Sequence, residues 1–198
     1  MTKALGRPRA FDREGALQAA LLVFWRKGFL ATSMNDLCEA MGIRSPSLYA
    51  AFGSKEELYR EAVQLYNAAA DSLIWSHISD GPTARDGMYK VLNAAAEVLA
   101  GLGGAPTGCL VTLAAGEECP GAAAEATKDA RTGSLSKLRE GLERAVASGE
   151  LPRTTNIDAL SRFYLSIVQG MAIQARDGAT PAQLRGMADA AMAAWPGG

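Results

Sequence analysis

The chain has 198 residues, 48% of them hydrophobic and 21% charged, with a formal net charge of −1. That profile belongs to an ordinary globular protein able to bury one core or two small ones. No apolar run approaches the ~20 residues that a bilayer span needs, and the basic, Pro/Gly-containing residues 1–11 lack a signal peptide's apolar stretch, so a cytoplasmic protein with no membrane partner is expected.

Charge is uneven along the chain. Residues 1–60 carry nine Lys/Arg against six acids, a net of +3, and the remainder carries −4. A basic end on a mildly acidic body suits a protein that presents one end to phosphates.

The basic N-terminus, GRPRAFDRE, leads into residues 28–58, which read as two short capped helices around a tight turn followed by a third. The first of these opens at Thr32 or Ser33, whose side chains can accept from orphan backbone N–H groups. It carries Met34, Leu37, Cys38 and Met41 at helical spacing and ends at Gly42. The second takes Ser45 as N-cap and Pro46 at the first helical position, where φ is already helix-like. Leu48 and Phe52 face inward, leaving Arg44, Ser45, Ser47, Ala50 and Ala51 outward. The third opens with Ser54 and Glu57 in a capping box. This layout is a helix-turn-helix and points to double-stranded DNA.

Beyond residue 60 the chain reads as helix after helix. A stripe at Leu58, Ala62, Leu65, Ala69 and Leu73 predicts that the helix from Ser54 continues to about Ser79, a rod of almost ~40 Å able to link two domains. After Gly81-Pro82, the residues Met88, Val91, Leu92, Ala95, Leu99 and Leu102 form the next stripe, ended by Gly103-Gly104-Ala105-Pro106. Residues 109–115, CLVTLAA, suit a buried helical turn or a strand, and the helical neighbours favour helix. Pro120 starts a helix burying Leu135, Leu138, Leu142 and Val146. Another runs from about Asn156 to Gly178 with Leu160, Phe163, Tyr164, Ile167 and Met171 on one face. The last opens with the capping box Thr180-Pro181-Ala182-Gln183 and carries Leu184, Met187, Ala188, Ala191 and Trp195. The fold class is all-α.

The segment 7–65 resembles the DNA-binding domain of the TetR family of transcriptional regulators. The resemblance rests on Gly28-Phe29, Thr32-Ser33, Gly42-Ile43, Ser47-Leu48-Tyr49, Phe52 and Ser54-Lys55-Glu56-Glu57-Leu58 occurring in that order. One departure is Ala51, where family members often carry His or an aromatic. The resemblance implies a DNA-binding helix-turn-helix domain over residues 1–60 and a helical ligand-binding and dimerisation domain over 61–198. It also implies a homodimer paired through its last two helices, a pseudo-palindromic operator, and release from it when a small molecule binds.

Candidate site residues follow. Arg44, Ser45 and Ser47 face base edges, Arg44 being able to donate two bonds to guanine, and Tyr49, Lys55 and Thr32 or Ser33 are candidates for phosphate. Gly6-Arg7-Pro8-Arg9 resembles a minor-groove hook in which Arg7 and Arg9 enter a narrow groove, the alternative being a basic tail. Trp75, Met88, Tyr89, Leu92, Cys109, Phe163 and Tyr164 either fill the core or line a cavity for a lipophilic or aromatic inducer. Ile167, Met171, Met187, Ala191 and Trp195 are the candidate dimer contacts.

No cofactor is expected, and the chain does not read as an enzyme. Its single histidine, His77, has no clustered Cys/His/carboxylate set, and no glycine loop follows a strand. Cys38, Cys109 and Cys119 read as structural thiols, with a cysteine-based redox sensor and a helical interaction module as alternative functions.

Overall fold

The computed structural model describes residues 12–196, and every regular element among them is helical. In chain order these are α1 (Arg13–Ala31), α2 (Met34–Met41), α3 (Ser45–Phe52), α4 (Lys55–Leu73), α5 (Ala84–Leu99), α6 (Leu110–Leu113), α7 (Gly121–Ala147), α8 (Ile157–Arg176) and α9 (Pro181–Met192). Single 3-10 turns cover Trp75–Ser79, Leu102–Gly104 and Ala114–Gly116.

Local chemistry accounts for the short helices. Ser33 caps α2 through a reciprocal box with Asp36, and Gly42 closes it in the left-handed region at φ 64°, where a side chain would be strained. The Thr180–Gln183 box at the start of α9 is also made. Two expected caps differ. Arg44, not Ser45, occupies the N-cap of α3 without a side-chain cap bond, which makes Ser45 the first helical residue. At α4, Ser54 accepts from the Glu57 N–H, but the Glu57 carboxylate pairs with Arg60, so that box is half made.

The linking helix is shorter than its periodicity predicts. Ile74 leaves helical geometry (φ −124°, ψ −62°), so α4 has 19 residues, and the chain continues as a 3-10 turn that buries Trp75. Its buried face is Leu58, Tyr59, Ala62, Val63 and Tyr66, while Leu73 is exposed. A stripe advancing by fours and threes at Leu65 and Ala69 is overridden because α1 and α7 cover the neighbouring face, the one carrying Tyr59, Val63 and Tyr66.

Two apolar clusters organise the molecule. One joins Ala20, Phe24, Trp25 and Phe29 of α1 to Leu37, Leu48, Leu58, Tyr59 and Tyr66, and extends to Leu110 and Val111 of α6 and to Ala123 and Ala130 of α7. The other assembles α5, α7, α8 and α9 around Met88, Leu92, Leu138, Leu142, Tyr164, Met171 and Leu184. Ion pairs tie neighbouring helices of this body: Lys137 to Asp71, Arg139 to Asp158 and Arg185 to Glu97.

Candidate functional site

Leu48 and Phe52 anchor α3 inward, with Leu48 fully buried beside Leu37 in the same cluster. The opposite side, Arg44, Ser45, Ser47 and the half-exposed Tyr49, faces solvent. These groups surround the positive end of an eight-residue helix, about 12 Å long, a size that enters a major groove. Two other cations at this end are engaged: Arg13 donates to Glu61 at 2.7 Å and lies over the Phe52 ring, and Lys27 donates to Asp36 at 2.6 Å. Lys27 and the Ser33 groups hold the Asp36 carboxyl down at a pKa of about 2. Arg44 makes no hydrogen bond or ion pair with another described side chain.

Three expected phosphate contacts look different in the fold. Thr32 is buried, and its hydroxyl donates to the Gly28 carbonyl at 2.6 Å, which removes it from the DNA-facing surface. Ser33 is exposed, but its hydroxyl donates to Asp36 at 2.8 Å and accepts from the Asp36 N–H. The Lys55 ammonium sits 4.4 Å from the centre of the Phe29 ring, a cation–π contact that turns it back toward the protein. Arg7 and Arg9 lie outside the described residues.

The junction between this end and the body contains residues that sequence reading passed over. Gly28 interrupts α1 at φ 78°, ψ 172°, and the Glu117 carboxylate accepts the following N–H groups, Phe29 at 2.8 Å and Leu30 at 3.2 Å. A Cβ at residue 28 would lie 1.9 Å from Glu117 Oε1. Arg176, at the end of α8, donates to the carbonyls of Arg26 at 2.7 Å and Thr107 at 3.4 Å. Two body elements thus hold the end of α1. These partners are 88 and 150 residues apart, beyond the reach of any local pattern.

Of the expected inducer-site residues, only Trp75 and Cys109 share a cavity. It lies among α4, α6, α7 and α8, also bounded by Tyr66, Arg131 and Gln169, and measures about 40 Å³, far below the roughly 300–1,000 Å³ of ordinary small-molecule sites. Met88, Leu92 and Tyr164 are fully buried core. Tyr89 is on the surface, its hydroxyl donating to Asp189 at 3.1 Å, and Phe163 is part of an open surface depression with Leu160. Burial pushes the Tyr164 phenol up to about 12. Among the dimer candidates, Met171, Ala191 and Trp195 are buried within their own chain, whereas Ile167 and Met187 are half-exposed. Met and Trp on two amphipathic helices fit either side of those helices, and here the body core claims them.

Burial, followed by the nearby Glu117 carboxylate, raises the Cys119 thiol to about 11, so the nucleophilic thiolate of a redox sensor is disfavoured there.

Comparison with known proteins agrees with this architecture. The profile of "Bacterial regulatory proteins, tetR family" matches residues 16–62. The HTH-type transcriptional repressor ComR of Escherichia coli K12 is 32% identical over 202 residues, covering 98% of this chain and 93% of ComR. The repressor BdcR of the same organism is 37% identical over 106 residues, covering 54% of this chain and 53% of BdcR. Among solved structures, a cysteine-substituted form of the TetR family regulator CifR complexed with 26-bp operator DNA is similar at 39% identity and a TM-score of 0.89, covering 96% of this chain and all of CifR. The protein described here belongs to the TetR family of bacterial regulatory proteins. It is a DNA-binding transcriptional regulator rather than an enzyme.

Proposed function

We propose that the chain is a repressor that reads a pseudo-palindromic operator as a homodimer and leaves it when a lipophilic or aromatic molecule enters the body. Residues 1–60 form the DNA-binding unit in this reading, and residues 61–198 bind the ligand and the second subunit. The observation that carries it is the exposed Arg44 guanidinium at the start of α3, without a partner among the described residues, with Ser45 and Ser47 beside it. Arg44 donates to a guanine edge, the two serines adapt to neighbouring bases, and Tyr49 reaches phosphate, with Ser33 able to do so only by giving up its bond to Asp36. Lys55 joins them only by leaving the Phe29 ring. Repression is supported by the named roles of ComR and BdcR, and operator binding by the CifR complex.

Pairing uses the outer side of α8 and α9, where Phe163, Ile167 and Met187 offer apolar surface. The ligand enters the cavity between Trp75 and Cys109. At about 40 Å³ it holds no more than a few waters, whereas small-molecule sites run to several hundred Å³, so a ligand has to part α4 from α8. The ligand therefore favours the parted conformation, and α4 carries that shift toward α3.

Arg44→Ala tests the reading in gel shifts on operator variants. It should cost ~1–3 kcal/mol of operator affinity and relax preference at one position while leaving thermal stability unchanged. Undiminished affinity and an unchanged base preference would remove α3 from the readout.

A further inference from the structure

Among the described residues, two buried side-chain N or O atoms have no hydrogen-bond partner: the indole Nε1 of Trp25 and the hydroxyl of Tyr59. Trp25 is 8% exposed and Tyr59 0%. Buried polar groups are nearly always paired, because an unpaired one retains its full desolvation cost. Both residues line one cavity of about 140 Å³, between the end of α1 and α6. It is separate from the smaller cavity at Trp75, with which it shares no lining residue.

The walls select the chemistry of an occupant. Phe24 and Leu110 supply an apolar side. An indole N–H only donates. The Tyr59 phenol is kept protonated well above its ordinary range, chiefly by burial and further by neighbouring Cys119 and Glu117, so it remains available as a donor. Of the charged groups in the wall, Glu117 accepts the Phe29 and Leu30 N–H groups, Lys27 is paired with Asp36, the Arg176 guanidinium is engaged with the Arg26 and Thr107 carbonyls, and Arg26 is exposed, an arrangement that favours a neutral occupant. A cavity of roughly 150 Å³ has room for a molecule the size of benzene, and the polar groups of this wall suit one that also carries a polar atom.

We propose that this junction cavity is a second small-molecule site, distinct from the inducer cavity of the body, which takes a neutral, ring-sized compound whose acceptor oxygen receives the Trp25 N–H and the Tyr59 O–H. A carbonyl oxygen has two lone pairs and can accept both bonds. The site lies against Gly28 and Glu117, the groups that join α1 to the body.

The three tryptophans provide the test, since Trp25 lines this cavity, Trp75 lines the other and Trp195 lines neither. The full chain is titrated with cyclohexanone while the three indole N–H resonances are followed in ¹H–¹⁵N spectra, with Trp25→Phe identifying its signal. A saturable shift of the Trp25 resonance is expected, with Trp195 unmoved. Benzene, of similar size but without the oxygen, should bind several-fold more weakly. Tyr59→Phe keeps the ring and removes the donor, and should weaken cyclohexanone binding by ~2- to 10-fold, the value of one neutral hydrogen bond. The proposal is overturned if only the Trp75 resonance moves, if no saturable shift occurs, or if benzene binds as well as cyclohexanone. The benzene comparison uses the unsubstituted chain and decides the matter even if Tyr59→Phe fails to fold. None of these outcomes depends on whether the body cavity binds an inducer.

Discussion

The two apolar clusters are built differently. Around the DNA-reading helices, rings lock together: Phe24 meets Tyr59 edge-on with centroids 4.9 Å apart, Phe29 meets Tyr59 at 5.1 Å, and Trp25 meets Tyr66 at 4.8 Å. The body is packed mainly with Leu, Met and Ala, including Met88, Leu92, Ala95, Leu138, Leu142, Met171 and Ala188, and its ring contacts gather at Tyr164, which meets Phe163 and Trp195. Ring pairs have preferred geometries, whereas Met fills irregular space and accepts repacking. One end is therefore suited to holding α3 in a fixed attitude, and the other to accepting changes in packing. The Glu117 and Arg176 contacts at the end of α1 join the stiff end to the adaptable one.

The contrast is most readily broken by unequal core changes. Phe24→Ala, which removes a fully buried ring from two aromatic contacts, should lower unfolding stability by ~3–5 kcal/mol, while Met88→Leu in the body should cost less than ~1.5 kcal/mol. Urea denaturation gives both values, and similar losses would erase the distinction. A smaller effect is expected at the junction. Glu117→Ala removes the acceptor for two backbone N–H groups and should cost ~1.5–3 kcal/mol, with Glu117→Gln retaining part of it. Faster amide exchange confined to Phe29 and Leu30 in the Ala variant would locate the loss, and unchanged exchange there would show that the carboxylate does not hold α1.

The smallest effect concerns acid. Asp36, half-buried and paired with Lys27, has its folded pKa lowered from 3.8 to about 2, so it binds its proton more readily when unfolded. Its contribution is complete above pH 3.8 and disappears as pH falls through about 2. Asp36→Asn should flatten the pH dependence of melting temperature within that window and leave it unaltered near neutrality. An unchanged acid slope would mean that the pair with Lys27 contributes nothing in solution.

The helix-turn-helix was legible because its signals are local. Gly42 marks a left-handed stop, Pro46 a helix start, and Leu48 and Phe52 one face, all within a few residues of one another. The family likeness could be read from the same stretch. Less legible were residues whose neighbours come from elsewhere. Lys55 looked like a phosphate ligand and lies over Phe29. Trp75 belonged by pattern to a continuing helix, but Ile74 ends that helix and turns the indole into the body.

By itself the sequence determined the all-helical class, the helix-turn-helix, and most helix starts and stops, the end of α4 and the N-cap of α3 excepted. Caps, glycine stops and apolar periodicity act over one or two turns and need no distant partner. Only the tertiary structure decided which side of each amphipathic helix became core, as at Met171 and Trp195, and which remained outside, as at Tyr89 and Phe163. It alone brought Glu117 and Arg176 to the end of α1 and gathered Trp25 and Tyr59 around one cavity. Those outcomes follow from how helices far apart in the chain share a limited buried volume, which periodicity along any single helix does not encode.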